Sequence, residues 1–188
     1  MISIAEMFSS MRHLGRAYYS NLIFVALDAK SGSMKGSRAL WKMISEGLLQ
    51  DPVSGKAIAP AQIGMVVNID QIGGTMSTLK SGRKDFIIML GREAAGQENS
   101  GLLSLCNLKY GSGLELSYDY YGSKDFTNVF YHRVSDQKVF LENKIPAVMF
   151  TSGITMNNNK PYDNPASIDL NILKRRIWLM FHWIERIL

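Results

Sequence analysis

Apolar and polar positions follow two rhythms along this chain. In residues 2–14, Ile4, Met7, Phe8, Met11 and Leu14 recur at helical spacing, which puts one stripe of a helix against a core. Residues 21–27 (NLIFVAL) instead form a continuous apolar run, the pattern of a strand buried on both faces of a parallel sheet. Helical spacing returns over 36–46 through Leu40, Met43 and Ile44. A loop follows, marked by Asp51-Pro52, Ser54-Gly55 and Pro60. Residues 47–62 are therefore expected to be a mobile insertion.

Residues 63–69 (IGMVVNI) give a second buried strand, closed by Asp70 and Gly73-Gly74, and 86–90 give a third. A helix is expected within 92–108, a strand over 114–120, a short helix over 136–142 and a strand over 146–150. The last helix begins after Pro165, capped by Ser167 or Asp169, and runs to the end. Alternating strands and helices predict an α/β fold: a mainly parallel sheet covered by helices on both faces, one domain over 1–188. An edge as apolar as 21–27 is an association hazard. Self-association or a partner chain is expected to cover it, unless a later strand does.

Composition narrows the function classes. With 188 residues, 46% apolar and 20% charged, the chain can bury a core, and long-range disorder is not expected. The net charge of +5 is scattered, and its densest run, Lys174-Arg175-Arg176, lies in an apolar helical segment. It reads as a helix face, not a nucleic-acid patch. The single cysteine, Cys106, forms no intrachain disulfide and reads as a buried structural thiol. Residues 1–20 lack the apolar run of a secretory signal, which leaves the compartment open. Charges within 170–188 argue against a membrane span.

Ligands of open α/β sheets sit beyond the carboxyl ends of strands. Three segments reach that end with polar residues: Asp28-Ala29-Lys30-Ser31, Asn68-Ile69-Asp70, and Thr151-Ser152-Gly153. VALDAKSGSMKGS (25–37) is similar to V-A-F-D-G-E-E-x-G-L-x-G-S of the co-catalytic zinc aminopeptidases. These include bacterial leucyl aminopeptidases, with glutaminyl cyclases as relatives. NIDQIG (68–73) resembles their N-x-D-M-I-G. SDQKVFLENKIPAVMFTSG (135–153) resembles S-D-H-x-P-F-x-x-x-G-I-P-x-x-x-F-x-x-G, and NKPYDN (159–164) resembles H-x-P-T-D-T. Four matches in order make the resemblance fairly specific.

The resemblance implies a zinc-exopeptidase-like fold, of which this chain covers the C-terminal two thirds. The family's first His and bridging Asp would precede the first helix here. It also implies a damaged site. Two zinc ions need a bridging carboxylate, further carboxylate and imidazole ligands, and an open position for water. A Glu takes the proton from that water. By register, the general-base position is Lys30, the following ligand position is Ser31, the last ligand position is Asn159, and Asp70 alone is retained. The implied reading is an inactive domain without cofactor that serves binding or assembly. Its alternative is a zinc-dependent aminopeptidase completed by a further N-terminal segment. A non-metal pocket for a peptide, amino acid or amine is a third reading.

Duller roles stand beside these. Asp70 reads better as a carboxylate paired with Lys30 or with backbone N–H groups than as a residual ligand. For Lys30, an ammonium in the place of a metal and a solvated loop lysine both stand. Asp136 matches the Asp of S-D-H near the family's substrate pocket, yet Ser135 or Asp136 is expected to cap the following helix. His13, His132 and His182 lack metal-ligand spacing, and His182 is expected to be structural. Tyr118, Asp119, Tyr120 and Tyr121 read as a strand end, with ligand binding the sharper alternative.

Overall fold

The computed structural model describes residues 1–188 apart from Met76, Ser100, Asn157, Asn159 and the side chain of Ser31. The chain runs α1 (Ile2–His13), α2 (Lys35–Ser45), β1 (Val66–Ile69), β2 (Phe86–Leu90), α3 (Leu102–Lys109), β3 (Glu115–Ser117), α4 (Lys124–Val129), α5 (Gln137–Glu142), β4 (Ala147–Thr151) and α6 (Leu170–Ile187). The strands form one open sheet in the order β1-β4-β2-β3. β1 pairs with β4 and β2 with β3 in parallel, whereas β2 and β4 are antiparallel. The sheet is thus mixed, with two parallel pairs running in opposite directions.

Both faces are covered, as the unbroken apolar runs require. All five residues of β2 and of β4 are buried. Ile87, Met89, Val148 and Phe150 point into a core shared with Ile4 and Phe8 of α1, Leu103 and Cys106 of α3, and Leu179, Met180 and Trp183 of α6. On the other face, Phe86, Ile88, Leu90 and Met149 meet Tyr120. Beside them, Met34 and Ile44 pack on Val139, Phe140 and Ile145. Each such apolar side chain contributes about 2 kcal/mol on burial. Asp169 begins α6 by accepting from the N–H groups of Asn171 and Ile172, both at 3.0 Å.

Arg176 of α6 is completely buried without a carboxylate partner among the described residues. Its Nε donates to the Phe86 carbonyl (2.7 Å). Its Nη1 donates to the carbonyls of Ile72 (2.7 Å) and Gly74 (3.1 Å), and its Nη2 to Thr75 Oγ1 (3.3 Å). Burial brings its pKa down to about 10, so it stays charged at neutral pH. The guanidinium thereby clamps the loop after β1 to the first residue of β2.

Several sequence expectations need correction. Residues 21–27 form no strand: Leu22, Ile23, Phe24 and Val25 are 36 to 55% exposed. A strand needs a second backbone for its N–H and C=O groups, and none of the described residues supplies one; the Phe24 ring meets Phe8 at 6.4 Å. The edge expected there is therefore an exposed apolar segment. The strand over 63–69 shortens to β1 because Pro60–Gln62 closes a tight turn, with Gln62 Oε1 accepting from Ala59 N (2.8 Å). The strand over 114–120 shortens to β3. Residues 47–62 form a loop, as expected, which carries an antiparallel bridge between Gln50 and Ala57 and a turn in which Asp51 accepts from Val53 N and Ser54 N. Helix α4 and the π-helical turn Phe130–Val134 have no counterpart in the sequence reading.

Candidate functional site

The parallel pair β1/β4 ends at Asp70 and Ser152, and the polar segments expected at the carboxyl ends meet there. Pairing continues past the strands. Asp70 N donates to the Phe150 carbonyl (3.0 Å) and Ser152 N to the Gln71 carbonyl (3.0 Å). Ser152 Oγ also donates to Gln71 O (2.7 Å) and to Gly74 O. These bonds hold Gln71 at φ +59°, a left-handed conformation uncommon for a residue with a side chain.

Lys30 arrives from the opposite side. Its ammonium donates to Asp70 Oδ2 in an ion pair, with the lysine side chain 34% and the aspartate side chain 18% exposed. The loop that carries it is also left-handed at Ala29 (φ +56°), Ser33 (φ +65°) and Met34 (φ +60°). Ala29 and Ser33 stand where the aminopeptidase motif has glycine, which adopts this conformation freely. Gly36 is kept where the loop folds back, since a Cβ there would run into the Asp28 carbonyl oxygen. The loop thus has the backbone shape glycines would favour, but is built with costlier residues.

A third wall comes from α5 and the turn before it. Ser135 Oγ, fully buried, donates to Asp70 Oδ2 at 2.6 Å. Asn68 Nδ2 donates to Ser135 Oγ (2.8 Å) and to Gln137 Oε1 (2.6 Å). Gln137 Nε2 donates to the carbonyls of Phe130 (3.0 Å) and Tyr131 (2.9 Å). The order of donors is therefore forced. The two carbonyls fix the Gln137 amide so that its oxygen faces Asn68. The Asn68 amide then occupies the Ser135 lone pair, and the Ser135 proton turns to Asp70. The two described groups bonded to Oδ2, the Lys30 ammonium and the Ser135 hydroxyl, both donate to it.

Of the expected site residues, Lys30 and Asp70 are brought together. The pairing with Lys30 favoured for Asp70 is formed. The helix-capping role of Ser135 or Asp136 is not: neither side chain caps α5, because Ser135 Oγ is spent on Asp70. Asp136 precedes α5 with a buried Oδ1 that has no partner among the described residues. Asn159 and the side chain of Ser31 lie outside the described residues. Gln137 went unrecognised. Its signal was its place in the motif, at the His of S-D-H.

The remaining candidates lie elsewhere. His182 is buried on α6, stacked on Tyr110 at 3.5 Å, with Nδ1 3.2 Å from Glu185 Oε2; burial, partly offset by Glu185, lowers its pKa. Cys106 is buried, and burial raises its thiol pKa. Tyr120 stacks on Phe130 at 3.9 Å and Tyr121 donates to the Ser152 carbonyl (3.1 Å), so both brace the sheet end. A cleft of about 440 Å³ lies at the opposite carboxyl end, beyond β2 and β3, between Tyr118, Tyr131 and Lys124. Among the described residues, no three His, Cys, Asp or Glu side chains converge as metal donors, and no helix is long and apolar enough to cross a membrane.

No protein-family model matches the chain, and no curated protein is similar to it by sequence. Two crystal structures of the LapA aminopeptidase of Legionella pneumophila share its fold. Each aligns with a TM-score of 0.54 at 14% identity, over 84% of this chain and 37% of that one. The chain thus spans little more than a third of the length of that aminopeptidase. At this identity the likeness is one of fold, and the α/β architecture is aminopeptidase-like.

Proposed function

We propose that this chain is an aminopeptidase-like domain that does not hydrolyse peptides and works by binding or assembly. The observation that carries the reading is the Lys30 ammonium on Asp70 Oδ2. A zinc site needs about four ligands, three or more from protein. The donors described around Asp70 are a lysine, a serine and two amides, and they do not fit a zinc ion. The cation at the retained ligand position would repel a metal, and no general base stands at position 30. The register of the motifs adds Ser31 and Asn159 at the other ligand positions.

The apolar run at 22–25 supports the assembly half of the reading. Four consecutive apolar side chains, each at least 36% exposed, exceed the scattered apolar exposure of an ordinary surface. Self-association through this segment is expected to appear in light scattering as a mass above one chain. Glutamate at Ile23 and Val25 should return it to monomer.

The test of the catalytic half is zinc content after purification without chelator, together with turnover of amino-acid chromogenic substrates. The proposal expects substoichiometric zinc and no turnover above buffer. Stoichiometric zinc with turnover would instead support the zinc-dependent aminopeptidase.

A further inference from the structure

The Tyr118–Tyr121 cluster divides in the structure. Tyr120 and Tyr121 brace the sheet end, whereas Tyr118 and Asp119 line the cleft of about 440 Å³ beyond β2 and β3. None of the residues lining that cleft falls in the four aminopeptidase-like segments. Its other wall is α4 with the π-helical turn that follows. Lys124, Thr127, Asn128, Tyr131 and His132 recur at helical spacing, and all five line the cleft. The same helix leaves Phe126 61% and Val129 41% exposed. A surface helix ordinarily keeps its polar face in open water, yet this one turns its polar stripe to a cleft and its apolar side chains outward. The π-helical turn, a distortion frequent at functional sites, carries Tyr131 and His132.

Two aromatic rings are fixed in the walls. The Tyr131 hydroxyl donates to the Ala147 carbonyl (2.7 Å). Its ring lies over Gly91, where φ is +72° and a Cβ would come within 2.2 Å of the ring. The Tyr118 hydroxyl is 3.2 Å from Ser104 Oγ, and the Arg92 guanidinium sits 4.6 Å from the ring centroid. Asp119 is pinned through Oδ1, which accepts from Gly122 N (2.6 Å). Among the described residues, Asp119 Oδ2 and the side-chain polar groups of Lys124, Asn128 and His132 make no hydrogen bond or ion pair. Charges of both signs and an amide therefore stand unspent beside two fixed rings.

We infer that this cleft binds a neutral saccharide. Its volume lies in the range of small-molecule sites, about 300–1,000 Å³. A strongly charged ligand would meet like charge there, since Glu93 and Asp119 line the cleft together with Lys124. An apolar ligand would strip water from those groups and return no hydrogen bond. A hydroxyl both donates and accepts, so a polyol serves the carboxylates and the ammonium alike. The C–H face of a sugar ring supplies the apolar surface that a tyrosine ring takes. Asp119 and Tyr118 then carry the binding, one through Oδ2 and the other through its ring.

The experiment is an NMR titration of the isotope-labelled chain with cellobiose, maltose, lactose and N,N′-diacetylchitobiose, and with sorbitol as a polyol that has no ring. At least one disaccharide should shift the amides of residues 91–93, 118–122 and 124–132 saturably, and sorbitol should not. Tyr118→Ala and Asp119→Asn should each weaken binding about tenfold, the worth of one ring contact or one bond to a charged group. Tyr118→Phe, which keeps the ring, should bind like the unaltered chain. If Tyr118→Ala does not fold, Asp119→Asn, which keeps Oδ1 as an acceptor for Gly122 N, carries the test with Tyr118→Phe. No saturable shift with any of the four disaccharides, shifts confined to other segments, an equal response to sorbitol, or binding unaltered by Tyr118→Ala or by Asp119→Asn overturns the inference. The readout does not depend on zinc content or turnover, so this site and the reading of the Asp70 end can fail separately.

Discussion

Arg176 and Lys30 both bring a positive charge to the same end of β1, and they are held in opposite ways. Arg176 is wholly buried and satisfied by four carbonyls and a hydroxyl spread over the loop after β1, the approach to β2 and its first residue. Lys30 is partly exposed and rests on one carboxylate oxygen. Spreading a buried charge over many backbone acceptors makes it a structural clamp, since no single rearrangement satisfies all of them again. Pairing a half-exposed charge with a single anion makes it exchangeable, because water or another cation can take over either partner. The same few residues after β1 thus serve a fixed frame on one side and an exchangeable contact on the other.

The difference can be broken from the frame side first. Arg176→Met should cost about 3–5 kcal/mol in urea unfolding, since it strands the carbonyls of Ile72, Gly74 and Phe86 in the core. Amides of residues 71–75 should lose hydrogen-exchange protection more than the rest of the sheet. A loss below 1 kcal/mol would mean that water reaches those carbonyls and that the clamp is incidental.

The lysine loop comes next. Gly36→Ala should cost about 2 kcal/mol, because the new Cβ has the Asp28 backbone in its way. The Lys30 resonances should broaden or shift as the loop moves. Unchanged stability would show that the loop adapts freely and does not fix Lys30.

Asp70→Asn is expected to cost only about 1 kcal/mol, the worth of a partly exposed ion pair. That is well below the cost of Arg176→Met, and equal losses would erase the contrast. The smallest effect has the opposite sign. Ala29→Gly should stabilise by roughly 0.5–1 kcal/mol, since relief of the left-handed strain exceeds the added entropy of the unfolded chain. A destabilised Ala29→Gly would show that the φ of +56° carries no strain worth relieving.

Much of the frame was legible in the sequence because burial leaves a mark on composition. β2 and β4 are unbroken apolar runs, and α6 carries its cap Asp169 and a periodic apolar stripe. The orientation of β4 against β2 was not legible, since a strand buried on both faces looks alike in either direction. Residues 21–27 have the same apolar signature, yet strand formation also depends on a partner backbone that no local pattern reveals. Helix α4 (KDFTNV) has β-branched residues and little periodicity, and its Ser123 cap, bonded to Phe126 N at 3.3 Å, shows only in the structure.

At the site, charge was the readable part: Asp70 at the end of β1 and Lys30 in a polar loop stand out as opposite charges, and they pair. The neutral donors were harder. Ser135 looked like a helix cap because serine before a helix usually is one. Gln137 carries no charge to draw attention, and only the register of the motif places it. What fixes the carboxylate is a chain of amides and a hydroxyl whose order depends on two distant carbonyls.

The central claim is that Asp70 is the anchor of an ammonium, not of a metal. Thermal unfolding of the unaltered chain with equimolar zinc, with excess zinc and with chelator tests it most directly. The account predicts the same midpoint in all three. A midpoint that rises with zinc, saturates at a fixed number of ions per chain and collapses with chelator would contradict it.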